Sequence, residues 1–272
     1  MKSFFKTTFA CVLGVFIAGI LLFWLFIGSV ISLATFSTTP SYTSKENTIL
    51  ILKLEGELTE RAKDDPLNIL NSGEYIPKAG LDEILKAIQI AKWDNNITGI
   101  YLDISNFTGG YASIEEIRNA LSDFKKSGKF IVAYADMYTQ REYYLATAAD
   151  WVFMNTIGML DFRGLSTTPT FYKNTLDKIG VEMQVFRVGT YKSAVEPFIA
   201  TEMSPANREQ VTTFITSIWG QVTEGVSTSR NISVDSLNVY ADRMLMFYPA
   251  EESVKCGLAD TLIYRNDVRN YL

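Results

Sequence analysis

The sequence predicts an α/β fold with a mostly parallel sheet, set behind one N-terminal membrane-spanning helix. Three observations carry that expectation. From Thr7 to Ser44 there is no Asp, Glu, Lys or Arg, and the part from Phe9 to Phe36 is dominated by Leu, Ile, Val, Phe, Ala and Gly. Beyond it, strand-like and helical hydrophobic periods alternate, which implies βαβ units. The roughly 230 residues outside the apolar run suffice for one domain, and a content of 47% hydrophobic and 20% charged residues is that of a folded protein, not a disordered one.

The apolar run comes first in the chain. About 20 apolar residues span a bilayer core, and a cleavable signal peptide has an apolar region of only about 7 to 15, so a retained anchor over residues 9–36 is expected. Lys2 and Lys6 precede it. By the positive-inside rule they place residues 1–8 in the cytoplasm and the remainder of the chain across the membrane. Gly14 and Ala18 form a small-xxx-small pair, for which ordinary glycine usage in a membrane helix is the better account. Residues 37–47, rich in Thr, Ser and Pro, form a linker, and residues 48–272 form the soluble domain.

Within that domain Thr48–Leu54 reads as a strand ended by Gly56. Leu81, Ile84, Leu85, Ile88 and Ile90 fall at helical spacing over Leu81–Trp93, and Ile97–Ile104 follows as a buried strand. Ile114–Phe124 is again helical, Lys129–Tyr134 a strand, Tyr143–Ala149 a short helix and Trp151–Met154 a strand. A helix near Phe171–Ile179 precedes a strand at Glu182–Arg187. Ser204 and Pro205 are N-cap and N1 of a long helix reaching about Arg230. Near the C-terminus a short helix is closed by Gly257 at its C′ position.

Composition narrows the chemistry. A net charge of −5 without a basic patch argues against a nucleic-acid partner. Histidine is absent altogether, which removes the commonest general base and the commonest metal ligand together; no metal or cofactor is expected. Cys11 lies in the apolar run, so a disulfide with Cys256 is implausible.

The segment Arg187-Val-Gly-Thr-Tyr-Lys192-Ser-Ala-Val-Glu-Pro-Phe198 closely resembles the lysine motif of the signal peptide peptidase A (protease IV) family. In the right order it is joined by Asn106-Phe-Thr-Gly109-Gly110, by Gln140-Arg-Glu-Tyr143-Tyr144-Leu-Ala, and by Glu251-Glu252 to Asp260, which resembles the closing helix of Clp/crotonase folds. The resemblance covers essentially the whole chain, including the anchor. It implies a Clp/crotonase-like fold, a serine peptidase with a Ser/Lys dyad, and peptide substrates, namely the remnant signal peptides left in the membrane. It also implies a place in the cytoplasmic (inner) membrane with the domain on the periplasmic side. The long form of that family carries two tandem copies of the fold, with lysine and serine in different copies, and this chain resembles the N-terminal copy. Where the family has a Ser-Gly-Gly-Tyr-like element, this chain reads Gln140-Arg141-Glu142-Tyr143, without serine. The resemblance therefore makes Lys192 the general base and implies either a homo-oligomer or pairing with a serine-bearing second copy.

Physical chemistry allows a lysine that role. A serine hydroxyl needs a base, and a neutral amine can serve. A lysine amine ordinarily titrates near 10.4, but burial disfavours its charged form by up to about 3 to 5 units. Val188, Tyr191, Ala194, Val195 and Phe198 surround Lys192 in sequence and could wall such a pocket. The competing reading is a solvated lysine, or one paired with Glu196 four positions on. Ser193 is no nucleophile for Lys192, because adjacent helical residues do not face each other; it reads as a cap, with Glu196 completing a capping box. Gly109 and Gly110 read as a turn after a strand, and Asp103 as a strand-end turn residue. Two other classes stay open: a non-catalytic scaffold, and an acyl-CoA-handling crotonase relative, which the extracytoplasmic placement and the lack of a basic cluster disfavour.

Overall fold

The computed structural model describes residues 2–35, 44–61 and 78–272. It divides into two compact units, the first running to Ser44 and the second from Lys45 to Leu272. The first is one helix, α1 (Lys2–Thr35). Its stretch Ser3–Ser29 is long and apolar enough to cross a membrane, rising about 40 Å against a hydrocarbon core of about 30 Å. Helical structure begins before the apolar run, because nothing at Lys6 interrupts the backbone ladder. Phe36 and residues 37–43 of the expected linker lie outside the described residues.

The second unit is built on a six-stranded sheet. Its strands are β1 (Thr48–Thr59), β2 (Lys78–Gly80), β3 (Ile97–Thr108), β4 (Phe130–Tyr138), β5 (Trp151–Leu160) and β6 (Thr261–Leu262). They lie in the order β2-β1-β3-β4-β5-β6, every pair parallel. Parallel strands need crossovers, and helices α2 (Leu81–Trp93), α3 (Tyr111–Lys125) and α4 (Gln140–Ala146) supply them between β2, β3, β4 and β5. Between Trp151 and Thr261 run α5 (Lys173–Lys178), α6 (Glu196–Ile199), α7 (Pro205–Arg230), α8 (Val234–Asp242) and α9 (Ala250–Lys255), and α10 (Arg265–Tyr271) closes the chain.

The expected α/β alternation is present, and the strands are longer than periodicity alone marked. Residues 100–102 and 104 of β3 are buried, the near-continuous burial of a strand covered on both faces. On one face Leu54, Ile100, Leu102 and Ile104 pack against Ile84 and Ile88 of α2, Ile114, Leu121 and Phe124 of α3, and Val222 and Val226 of α7 in one cluster. On the other, Tyr101, Val132, Tyr134 and Phe153 form a smaller cluster with Val268 of α10. Tyr271 seals it edge-on against Phe153, with centroids 4.7 Å apart.

Buried Arg118 ties the helical layer together and, among the described residues, has no carboxylate partner. Its guanidinium donates to the Tyr144 carbonyl and Thr147 hydroxyl, each at 2.7 Å, and to the Gly225 carbonyl and the Ser229 hydroxyl. It also lies over the Tyr144 ring. Four neutral acceptors satisfy the buried donors, which an apolar pocket would leave costly.

Several expectations are corrected. Gly56 does not end β1: it sits at φ 78° beside a register shift, and the strand continues to Thr59. A bulge absorbs the irregularity and pairing resumes. Asp103 is no turn residue; it lies inside β3 and pairs with Arg265 of α10, which also reaches Asp136 at 2.9 Å. The short helix starts at Gln140, three residues earlier than expected, because Thr139 and Glu142 close a capping box there. Glu182–Arg187 is not a strand but irregular, exposed backbone. Its residue types favour a strand, yet a strand exists only when a neighbour offers hydrogen bonds, and no strand of this sheet lies beside it. Ser204 caps α7 as expected, accepting from the Asn207 N–H at 3.2 Å, and Gly257 follows α9 at φ 72°.

Candidate active site

Lys192 stands on an arm between α5 and α7. The arm leaves α5 at Gly180, runs exposed through residues 181–191, and turns into a 3-10 turn at Ser193–Val195 and then α6. Lys192 occupies the N-cap position of that turn at φ −100°, ψ 69°. Its side chain is exposed, and among the described residues its amine makes no hydrogen bond or ion pair. The apolar walls expected from neighbouring residues are not closed: Val188 is 89% exposed, Tyr191 54% and Phe198 40%. Local sequence puts apolar groups beside the lysine, but an irregular segment folds none of them over it.

Of the competing readings, the solvated lysine is what the side chain shows, and the pairing with Glu196 is not formed, since that carboxylate is buried and engaged elsewhere. Its oxygens accept from the Ser204 hydroxyl at 2.6 Å, the Ser204 N–H at 3.2 Å and the Asn207 amide at 2.9 Å, with Arg187 at 3.8 Å. Nor does Ser193 cap a helix with Glu196; no side-chain cap is present at either turn. Glu196 instead pins the lysine turn to the N-terminus of α7. Two further contacts hold the arm. The Tyr191 hydroxyl donates to Glu209 at 3.2 Å, and the Tyr172 N–H donates to the Pro197 carbonyl at 2.6 Å beneath the stacked Tyr172 and Phe198 rings.

Burial disfavours the Glu196 charge, but the Ser204, Asn207 and Arg187 donors outweigh it and hold the carboxyl below its usual range. A depressed carboxyl stabilises above its unfolded value, about 4.3, and loses that stabilisation as pH falls through the folded one. The lysine arm is therefore expected to loosen below about pH 4 while the sheet persists. Proteolysis that accelerates between residues 187 and 204 on acidification, and does not in Glu196→Gln, checks this; equal cleavage rates at pH 6 and pH 3.5 would exclude it.

The second position that the resemblance singles out opens α4. Gln140 is buried at 7% exposure. Its Oε1 accepts from the N–H groups of Arg163 at 3.0 Å and Gly164 at 2.9 Å, and its Nε2 donates to the Tyr111 hydroxyl at 2.9 Å. Arg141 donates to the Gly109 carbonyl at 3.2 Å and lies over the Tyr111 ring. Glu142, 2% exposed, accepts from the Phe107 N–H at 2.7 Å and the Thr139 N–H at 2.8 Å. Three successive side chains thus bind the end of β3, the Gly109–Gly110 turn, the start of α3 and the loop after β5. Neither Tyr111 nor the Arg163–Gly164 loop was marked by any sequence signal, because both are brought to Gln140 by the sheet. Gln140 and Lys192 lie in different surroundings, one buried and one exposed, and no hydrogen bond joins them. This chain by itself holds no assembled dyad among its described residues.

Residues 123–272, which include both α4 and the lysine arm, match Peptidase family S49. The chain belongs to that family. Among its relatives are Protease 4 of Haemophilus influenzae, 40% identical over 195 residues, and Protease 4 of Salmonella typhi, 44% identical over 167. These alignments cover 69% and 61% of this chain and 32% and 27% of the relatives. The chloroplastic serine protease SPPA of Arabidopsis thaliana is 29% identical over 224 residues, 82% of this chain and 32% of that protein. The chain spans about a third of the length of these curated relatives. Family membership agrees with the resemblance raised by the Lys192 and Gln140 segments.

Proposed function

We propose that this chain is the lysine-bearing part of a membrane-anchored serine peptidase that cleaves remnant signal peptides. Lys192 takes the proton of a serine supplied by a second copy of a Clp/crotonase-like fold, either within a longer polypeptide or on a separate chain. It returns that proton to the leaving amine. Residues 9–36 anchor the chain in the cytoplasmic membrane, N-terminus inside, and residues 48–272 stand on the far side beyond a linker at 37–47. The substrates are extended apolar peptides, and copies assemble so that each lysine meets a serine.

The observation that carries this reading is the state of the arm. Among the described residues the Lys192 amine has no partner, and it projects from a segment whose Phe186 and Val188 are 95% and 89% exposed, in a chain that belongs to a peptidase family. Such apolar surface is costly in water, and a second copy laid over it would exclude water from the amine and complete the dyad. The non-catalytic scaffold reading is supported by Gln140, since the chain lacks serine where the family carries it.

The test uses the full chain in detergent. Alone it is expected not to hydrolyse apolar peptides, and mixed with a copy bearing the Ser-Gly-Gly-Tyr element it is expected to become active. Robust hydrolysis by the full chain alone, or an inactive stable mixture, would sink the proposal.

A further inference from the structure

Gln140 stands where the resemblance places the nucleophile, and its side chain is already committed to the protein. Two successive N–H groups, of Arg163 and Gly164, converge on its Oε1, a small backbone nest of the kind that holds an oxygen. Gly164 turns there at φ 87°, a conformation that costs a glycine little. Tyr111 takes the other end of the amide, under the Arg141 guanidinium 5.0 Å from its ring.

What the nest belongs to gives the amide its consequence. Arg163 and Gly164 follow the end of β5 at Leu160 and open the run that leads through α5 to the lysine arm. Phe162 is buried between Tyr143 and Trp219, with centroids 5.8 Å and 5.1 Å away. After Gly164 the chain makes no further hydrogen bond among the described residues until the Tyr172 N–H reaches Pro197. Gln140 is thus the last contact to the sheet layer before the run of residues 165–171, and the backbone it holds sets where that run leaves for Tyr172, whose bond to Pro197 ties α5 to the far end of the arm.

We infer that Gln140 is a positioning residue for Lys192: at the place of the family's serine, its amide anchors the root of the arm that presents the amine. The inference rests on the reading of Lys192 as general base. It explains in physical terms why a buried amide suits this copy. A serine is too short to span from α4 to both N–H groups and the Tyr111 hydroxyl, so this copy holds the lysine arm instead of attacking the substrate.

The experiment uses the full chain assembled with a serine-bearing copy and combines amide hydrogen exchange, which needs no activity, with the pH dependence of kcat. In the unmodified protein the Arg163 and Gly164 amides exchange about 100-fold more slowly than exposed Ser166–Thr168. Gln140→Ala brings them to the neighbours' rate and speeds exchange at the hydrogen-bonded amides of residues 172–181, through which the root passes to the arm. It also lowers kcat about 10- to 100-fold with KM nearly unchanged, and moves the acid limb of the kcat profile to higher pH. Gln140→Glu restores all four, since a carboxylate accepts from both N–H groups and the Tyr111 hydroxyl turns to donate. Three results overturn the inference: unprotected amides in the unmodified protein, faster exchange in Gln140→Ala confined to residues 163–164 with the acid limb unmoved, or no recovery in Gln140→Glu. The first requires no variant, so a misfolded Gln140→Ala leaves the inference decidable. Hydrolysis that survives Lys192→Ala refutes the lysine's role instead, and exchange at the bonded amides of residues 172–181 still reports whether Gln140 anchors the root of the arm.

Discussion

Lys192→Ala in the assembled peptidase lowers kcat by about 10²- to 10⁴-fold, the range that a general base contributes, with KM within about twofold. On the proposed mechanism the serine hydroxyl keeps its proton when no amine stands within reach, and the absence of histidine from this chain removes the commonest substitute base. Lys192→Arg is expected to be as inactive as the alanine variant, because a guanidinium stays protonated at every accessible pH and cannot accept the proton. Steady-state hydrolysis of an apolar peptide, with assembly verified by light scattering, measures both. An arginine variant retaining more than about a tenth of the activity would assign the lysine a merely electrostatic role, because charge alone survives that substitution.

Glu142→Ala has the largest expected effect on stability. The carboxylate is almost wholly buried and accepts two backbone N–H groups, Phe107 at the end of β3 and Thr139 at the cap of α4. Alanine strands both donors and leaves a void, so about 3 to 5 kcal/mol is lost. For a domain of this size that lowers the midpoint of thermal unfolding by roughly 10 °C. Glu142→Gln keeps one acceptor oxygen and should lie between alanine and the unmodified protein. Calorimetry distinguishes the three, and a loss below about 1 kcal/mol for alanine would mean that both N–H groups find other acceptors. The effect is several times that of an exposed helix-start glutamate, where an N-terminal carboxylate contributes only about 0.3 to 1 kcal/mol.

Much of the architecture was legible because it is periodic. Leu81, Ile84 and Ile88 recur at helical spacing and are buried, although Ile90 of the same pattern is exposed, and Ile100, Tyr101 and Leu102 are apolar on both faces of β3, as a strand covered on both sides requires. Caps were legible for the same local reason: Ser204 needs only the N–H three residues on. The failures share a cause as well. Glu182–Arg187 has strand composition and no strand beside it, and Asp103 looked like a turn because its partner, Arg265, lies 162 residues away.

The site divides along the same line. Identity of the family and the candidate lysine follow from the order of residues 187–198 and 140–146 along the chain, and so does the glutamine at position 140, since residue type at a position is a property of the chain alone. The surroundings of those residues do not. The sheet brings Arg163, Gly164 and Tyr111 onto Gln140, and Ser204 and Asn207 onto Glu196 are delivered by the return of α7. The same folding leaves Lys192 in the open, although its neighbours in sequence are apolar. Burial and hydrogen bonding depend on distances between segments far apart in the chain, which local residue types do not encode, and only the tertiary structure decides them.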